Sequence, residues 1–339
     1  MRSLQKYIVL LLALSFPLSG TLAAQVQFTA KYPDIPIVDV HVHFGNVAGI
    51  TNYLNVSEVL KERHGSNLAF FIGVNDPGGN LAEMKAAADN RVLFATCQMR
   101  PHRGLTITAE EVISKVRNDG YVGLKFWFGP AYRALRDDEE GIRRIDDPRL
   151  ADFFAALEQE RILLHCLHIA DPNGPFYDRK DWLQDPVFYW TQIRAFENVV
   201  AKYPNLPIIA AHSAWLVCQD AQIDYLRYML HTYPNLYIET SATYQYMYLV
   251  NRDNMRDFFI EYQDRILLGS DWMVEGPVDQ IVNLYAGVFA YLETDQMITG
   301  GYFRATQAQG LDLPREVLEK IYYRNAVKLI PGLKEAMGL

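Results

Sequence analysis

Five side chains able to bind a cation or move a proton sit at equivalent places along this chain. Val38 and Val40 alternate with Asp39, His41 and His43. In an extended strand alternate residues share a face, so His41 and His43 point the same way. Neighbouring imidazoles repel when protonated. A shared divalent cation removes that cost, because each neutral ring nitrogen donates a lone pair to it. The placement recurs three times: His165 closes the run Arg161 to Leu164, His212 closes Pro207 to Ala211, and Asp271 follows Arg265 to Ser270. Each is the first strongly polar group after an apolar stretch. Four histidines and an aspartate converging on one face are a donor set for a metal.

Strands and helices must bring those ends together. Apolar, β-branched or aromatic runs occur near residues 36–43, 68–74, 91–97, 121–127, 161–166, 207–212, 235–240 and 265–270. Helical periodicity fills spans between them, as in Ala109 to Val116, Leu150 to Gln159 and Val187 to Ala201. Eight strands alternating with helices predict a parallel sheet with helical crossovers. The segment Tyr203-Pro204-Asn205-Leu206 returns as Tyr233-Pro234-Asn235-Leu236, marking equivalent corners of successive units. An open doubly wound sheet often carries a glycine-rich loop after its first strand. Here that strand runs into His41-Val42-His43-Phe44-Gly45. The expectation is a single (β/α)8 barrel with the metal site at the C-terminal ends of its strands. The longer connections 128–148 and 169–190 follow strands and are expected on that same face.

The first residues read as a targeting segment. Arg2 and Lys6 precede the apolar run Ile8 to Leu14, and Thr21-Leu22-Ala23 places small residues before a cleavage point. The expected division is a signal peptide over 1–23 and one domain over 24–339, exported to a periplasm or medium. Without Arg2 and Lys6 the formal charge moves from −8 to −10. An acidic exported chain is a poor nucleic-acid binder, and no later run is apolar enough to form a stable membrane span. Cys97, Cys166 and Cys218 are too few and too odd in number for a disulfide framework, although one pair is left open.

Several stretches together resemble the amidohydrolase superfamily, in the amidohydrolase-related branch that includes aminocarboxymuconate semialdehyde decarboxylase. They are Ile37 to His43, Gly123-Leu124-Lys125, Leu164-His165, Ala211-His212-Ser213, Tyr237 to Ser241, Leu268 to Trp272, and Tyr323 to Ala326. They come in the family's order and span nearly the whole mature chain. The resemblance implies that His41, His43, His165 and Asp271 hold a divalent metal. His212 would orient or protonate groups beside it, and Asp271 would double as proton acceptor. Lys125 is implied as a carboxylated bridge if two metals bind, with His212 then a ligand. Otherwise Lys125 is a free ammonium for a substrate carboxylate, or a structural ion pair.

Zinc suits these ligands first, with manganese, iron and cobalt using similar sets. Such a site fits hydrolysis of a small lactone, ester or amide. The alternative on the same scaffold is non-oxidative decarboxylation, and a silent binding protein would have lost ligands that are all present here. Arg100, Trp127 and Trp272, with His102, are placed around the substrate. Asp39 and Glu239 are candidates to hold an imidazole. His64, His168 and His231 are read as non-functional. Self-association into a homo-oligomer is left open.

Overall fold

The computed structural model describes residues 25–129, 140–171, 186–273 and 276–339. The proposed targeting segment and much of both long connections lie outside those residues. The first strand, β1 (Pro36–His43), is buried from Ile37 to Val42. Both faces are covered, so its polar residues Asp39 and His41 are fully buried along with the valines between them. It is followed by β2 (Asn67–Gly73), β3 (Val92–Phe94), β4 (Thr96–Met99), β5 (Leu124–Phe128), β6 (Leu164–Ile169), β7 (Ile208–Ala210), β8 (Leu236–Glu239), β9 (Ile266–Leu267) and β10 (Trp272–Met273).

These strands pair in parallel in the orders β10-β1-β2-β3 and β4-β5-β6-β7-β8-β9. The two sheets are halves of one (β/α)8 barrel, because two barrel strands are each in two pieces. Ala95 separates β3 from β4, donating to Gly73 O while Thr96 N donates to Gly123 O, both at 2.9 Å. At the other seam Val40 N donates to Leu268 O (3.0 Å) and Asp271 N donates to His41 O (2.8 Å). The eighth barrel strand is therefore β9 and β10 with a break at residues 268–271, and the first strand closes against it. All eight strand positions expected from the sequence are occupied.

The helices lie where the periodicity puts them, over Ala109–Asn118, Ala151–Gln159 and Pro186–Lys202. The first opens on a capping box, Thr108 accepting from Glu111 N while the Glu111 carboxylate accepts from Thr108 N. The repeated Tyr-Pro-Asn-Leu corners precede β7 and β8, which are neighbours: Ile208 pairs with Leu236. Asn235 fixes the second corner by donating to the carbonyls of Val200, Tyr203 and Leu206. One large apolar cluster joins the helices to the strands. A smaller one joins Val38, Val40, Ile209 and Leu267 to Ala326, Ile330 and Leu333 of the C-terminal segment.

A hairpin, β11 (Met297–Gly300) and β12 (Phe303–Gln309), follows the helix Val278–Glu293. Its turn passes through Gly301 at φ +54°, where a Cβ would come within 2.9 Å of Asn283 O. Glycine is required there, and the turn delivers Tyr302. Cys97, Cys166 and Cys218 are all free thiols. Among the described residues no helix is long and apolar enough to cross a membrane.

Candidate metal centre

His41 lies fully buried at the end of β1. Its Nδ1 donates to Glu239 Oε1 at 3.0 Å, which leaves Nε2 with a lone pair. That nitrogen lies 3.0 Å from Asp271 Oδ1 and accepts from Lys125 Nζ at 2.8 Å. His43 repeats the pattern: Nδ1 donates to Asn75 Oδ1 at 2.6 Å, and Nε2 faces the same Asp271 oxygen at 2.9 Å. His212 Nδ1 donates to the Ser241 carbonyl at 3.0 Å, so its Nε2 also carries only a lone pair. Ligand atoms of His41, His212 and Asp271 all lie within 4.8 Å of one another. Several lone-pair atoms thus point at one another, and Lys125 supplies the nearby positive charge. Nitrogen and carboxylate donors in this arrangement fit a divalent cation.

Glu239 organises two of the rings. Its Oε1 accepts from His41 Nδ1, from His212 N at 2.9 Å and from Ser241 Oγ at 2.7 Å, and its Oε2 accepts from Ser241 N at 2.6 Å. Burial would raise its pKa, but His41 and these donors win and hold it at about 2. A permanently ionised carboxylate on His41 Nδ1 fixes the tautomer that presents Nε2. Asp39 takes a different part. It accepts from the backbone nitrogens of His41 (3.0 Å) and Ser270 (3.1 Å), not from an imidazole.

The fifth barrel strand, β6, departs from simple alternation. His165 Nε2 donates to Val40 O at 2.7 Å, and its buried Nδ1 has no hydrogen-bond partner among the described residues. The structure does not bring it into the group around Asp271. His168, read from the sequence as non-functional, stands beside His212: its Nδ1 is 3.0 Å from His212 Nε2, and its buried Nε2 has no hydrogen-bond partner among the described residues. The reason is Cys166, whose φ of +57° is left-handed, with register shifts in the pairing on both sides of β6. One residue of opposite hand lets side chains three apart face the same interior. Nothing in the identity of a cysteine signals that conformation.

His212 is placed by an unusual turn. His212, Ser213, Ala214 and Trp215 all have φ between 51° and 58°, a left-handed stretch that L-residues adopt only at a cost. It stacks the Trp215 ring on His212 at 4.6 Å and 24°. Burial lowers the His212 pKa to about 4 and that of His168 well below the ordinary range. Both imidazoles are therefore neutral at pH 7. Burial works against ionising Asp271. Without a metal, a proton on His41 and the hydrogen bonds that it and His43 would then donate hold the carboxyl well below its usual range. A bound cation would take over that part and leave both Nε2 atoms as lone pairs.

The remaining expected residues divide. Trp127 sits 5.7 Å from the His168 ring, and Arg100 lies 5.7 Å over Trp127. Arg100 is exposed, has φ +54°, and lies two residues before the buried His102. Lys125 reaches His41 directly and is 1% exposed. Trp272 turns away. It lines a small cavity with Ile281, Leu284 and Tyr285 of the helix Val278–Glu293. Sequence reasoning missed His168, Trp215, Asn75 and Ser241, whose roles depend on partners far away in the chain.

A sequence model described as amidohydrolase matches residues 23–332. No curated protein matches the chain in sequence. Among solved structures, an uncharacterised TIM-barrel protein of Bordetella bronchiseptica superposes with a TM-score of 0.53 at 14% identity, covering 90% of this chain and 100% of that one. A putative amidohydrolase of Staphylococcus aureus gives 0.52 at 13% identity, with 87% and 99% covered.

Proposed function

We propose that this chain, which belongs to the amidohydrolase family, is a metal-dependent hydrolase of small carbonyl compounds: lactones, esters or amides. The observation that carries the reading is the convergence of lone-pair atoms from His41, His43, His212 and Asp271 at the strand ends. We assign the metal to His41, His43 and Asp271. In this reading His168 takes the place on the fifth barrel strand that was expected of His165. When bound, a divalent cation polarises a carbonyl and lowers the pKa of water from 15.7 toward about 7.

The side chains supply the rest. Asp271 is ionised and can take a proton as water attacks. His212, neutral and held by Ser241, presents Nε2 to accept a hydrogen bond or a proton at the reacting oxygen. Trp215 covers one face of that ring and excludes water from it. Lys125 donates to His41, so in this reading it attends a metal ligand and is not placed on the substrate. Arg100 and Trp127 form the substrate side.

Zinc is the first choice of metal, with manganese, iron and cobalt as other fits. The acidic chain takes a small molecule, not a nucleic acid, and works outside the cytoplasm after loss of residues 1–23. The test is metal analysis of purified protein, followed by lactones, esters and aromatic carboxylates with product identification. Hydrolysis products together with bound metal support the reading. Release of CO2 from the carboxylates would move the assignment to decarboxylation, and protein that binds no divalent metal would end it.

A further inference from the structure

Asp271 does its work from a left-handed backbone position, at φ +55°. It also sits in the gap between β9 and β10, where the barrel ladder is interrupted. Besides the ladder bond from Asp271 N to His41 O, side chains brace it.

Three tyrosines from three outer elements converge on the residues flanking it. Tyr53, from the helix Val47–His64, donates to Trp272 O at 3.3 Å. Tyr302, from the hairpin turn, donates to Ser270 O at 3.1 Å. Tyr285, from the helix Val278–Glu293, donates to an Asp39 carboxylate oxygen and lies 3.3 Å from Ser270 Oγ. The other Asp39 oxygen accepts from Ser270 N and His41 N. Ser270 Oγ in turn accepts from Trp272 N at 3.3 Å. The carbonyls on both sides of Asp271 and the amides of its neighbours are thus tied to side chains. The same Asp39 carboxylate grips the backbone of His41.

We propose that Tyr285, acting with Tyr302 through Asp39 and Ser270, is a positioning residue that sets the Asp271 carboxylate against His41 and His43 for metal binding. Tyr285 touches neither metal ligand side chains nor substrate. It holds the two backbone segments, β1 and residues 270–272, that carry two of the ligands. The inference rests on the metal reading above, and groups that orient ligands typically alter metal affinity by about 10–100-fold.

The experiment measures the Zn²⁺ dissociation constant by competition with a chelating dye, and the melting temperature of the metal-free protein. The variants are Tyr285→Phe, Tyr302→Phe, Ser270→Ala and a control, Tyr322→Phe. Tyr322 is also a buried tyrosine with a bonded hydroxyl, but its partner is Glu293. The expected result is Zn²⁺ binding weakened about tenfold in Tyr285→Phe, with a melting temperature no lower than that of Tyr322→Phe. Ser270→Ala and Tyr302→Phe should weaken binding in the same direction. Affinity within about twofold of the parent in Tyr285→Phe, or equal weakening in Tyr322→Phe, overturns the proposal, since second-sphere changes of that kind fall below the usual range. Failure of the parent protein itself to bind Zn²⁺ or another divalent ion would remove the metal reading and this one together, and is read before any variant is made.

Discussion

His168 and His212 meet edge to face, with ring centroids 4.6 Å apart and His168 Nδ1 3.0 Å from His212 Nε2. Two neutral imidazoles so close share one proton at most, and the buried outer nitrogen of His168 finds no partner among the described residues. A buried polar atom of this kind asks for an occupant. His165, three residues earlier, spends its Nε2 on the Val40 carbonyl.

The two histidines of β6 should therefore separate experimentally. His168→Ala is expected to lose the metal and the activity together, as are His41→Ala and His43→Ala. His165→Ala should keep its metal and lose stability, by roughly 1–3 kcal/mol for an unmet buried carbonyl. Metal content by elemental analysis and melting curves on the same preparations check this. Metal loss in His165→Ala with retention in His168→Ala would return the ligand role to His165.

Asp271→Asn tests the proton acceptor. An amide oxygen still coordinates weakly, so part of the metal should remain. It cannot take a proton, and kcat should fall by roughly 10²–10⁴. An enzyme of normal kcat would refute the role given to Asp271, whatever its metal content.

His212→Asn should lower kcat while leaving about one metal per chain if a single metal binds. If Lys125 is carboxylated and two metals bind, the same change should drop the count from about two to one. Stoichiometry measured in bicarbonate-supplemented buffer distinguishes the cases.

Glu239→Gln removes the negative charge that fixes the His41 tautomer, yet keeps the size of the side chain. Metal affinity should fall by roughly 10–100-fold, the effect usual for a carboxylate behind a ligating imidazole. Dye competition reads it directly, and unchanged affinity would show that the Ser241 hydroxyl suffices to orient the ring.

Glu293 lies away from the site, buried between Lys31 N at 2.8 Å and Tyr322 OH at 2.9 Å. Burial raises its pKa from 4.5 to about 7. A carboxyl raised in the folded state favours folding below its unfolded pKa, and that contribution is lost as pH rises through the folded value. Between pH 4.5 and about 7 the parent should lose up to roughly 3 kcal/mol relative to Glu293→Gln, at about 1.36 kcal/mol per pH unit. Denaturant titrations across that range check the sign. A difference that does not change with pH would show the carboxyl titrates normally.

The strand positions were legible in the sequence because a parallel strand buried on both faces is written locally, as a short apolar run. The same holds for the polar group that ends each run, so His41, His43, His212 and Asp271 could be gathered before any coordinates. Alternation failed at β6. It counts faces correctly only while every residue keeps the ordinary hand, and the left-handed Cys166 is held by pairing with strands distant in sequence. Trp272 misled for a related reason: its residue type suits a pocket wall, but it follows the left-handed Asp271 and packs toward the helices. Trp215 and the tyrosines around Asp271 had no local signal at all. Sequence by itself determined which elements form and which chemical groups end them. Only the tertiary structure decided which of two histidines meets the others, because backbone hand and long-range hydrogen bonds are settled when the barrel closes.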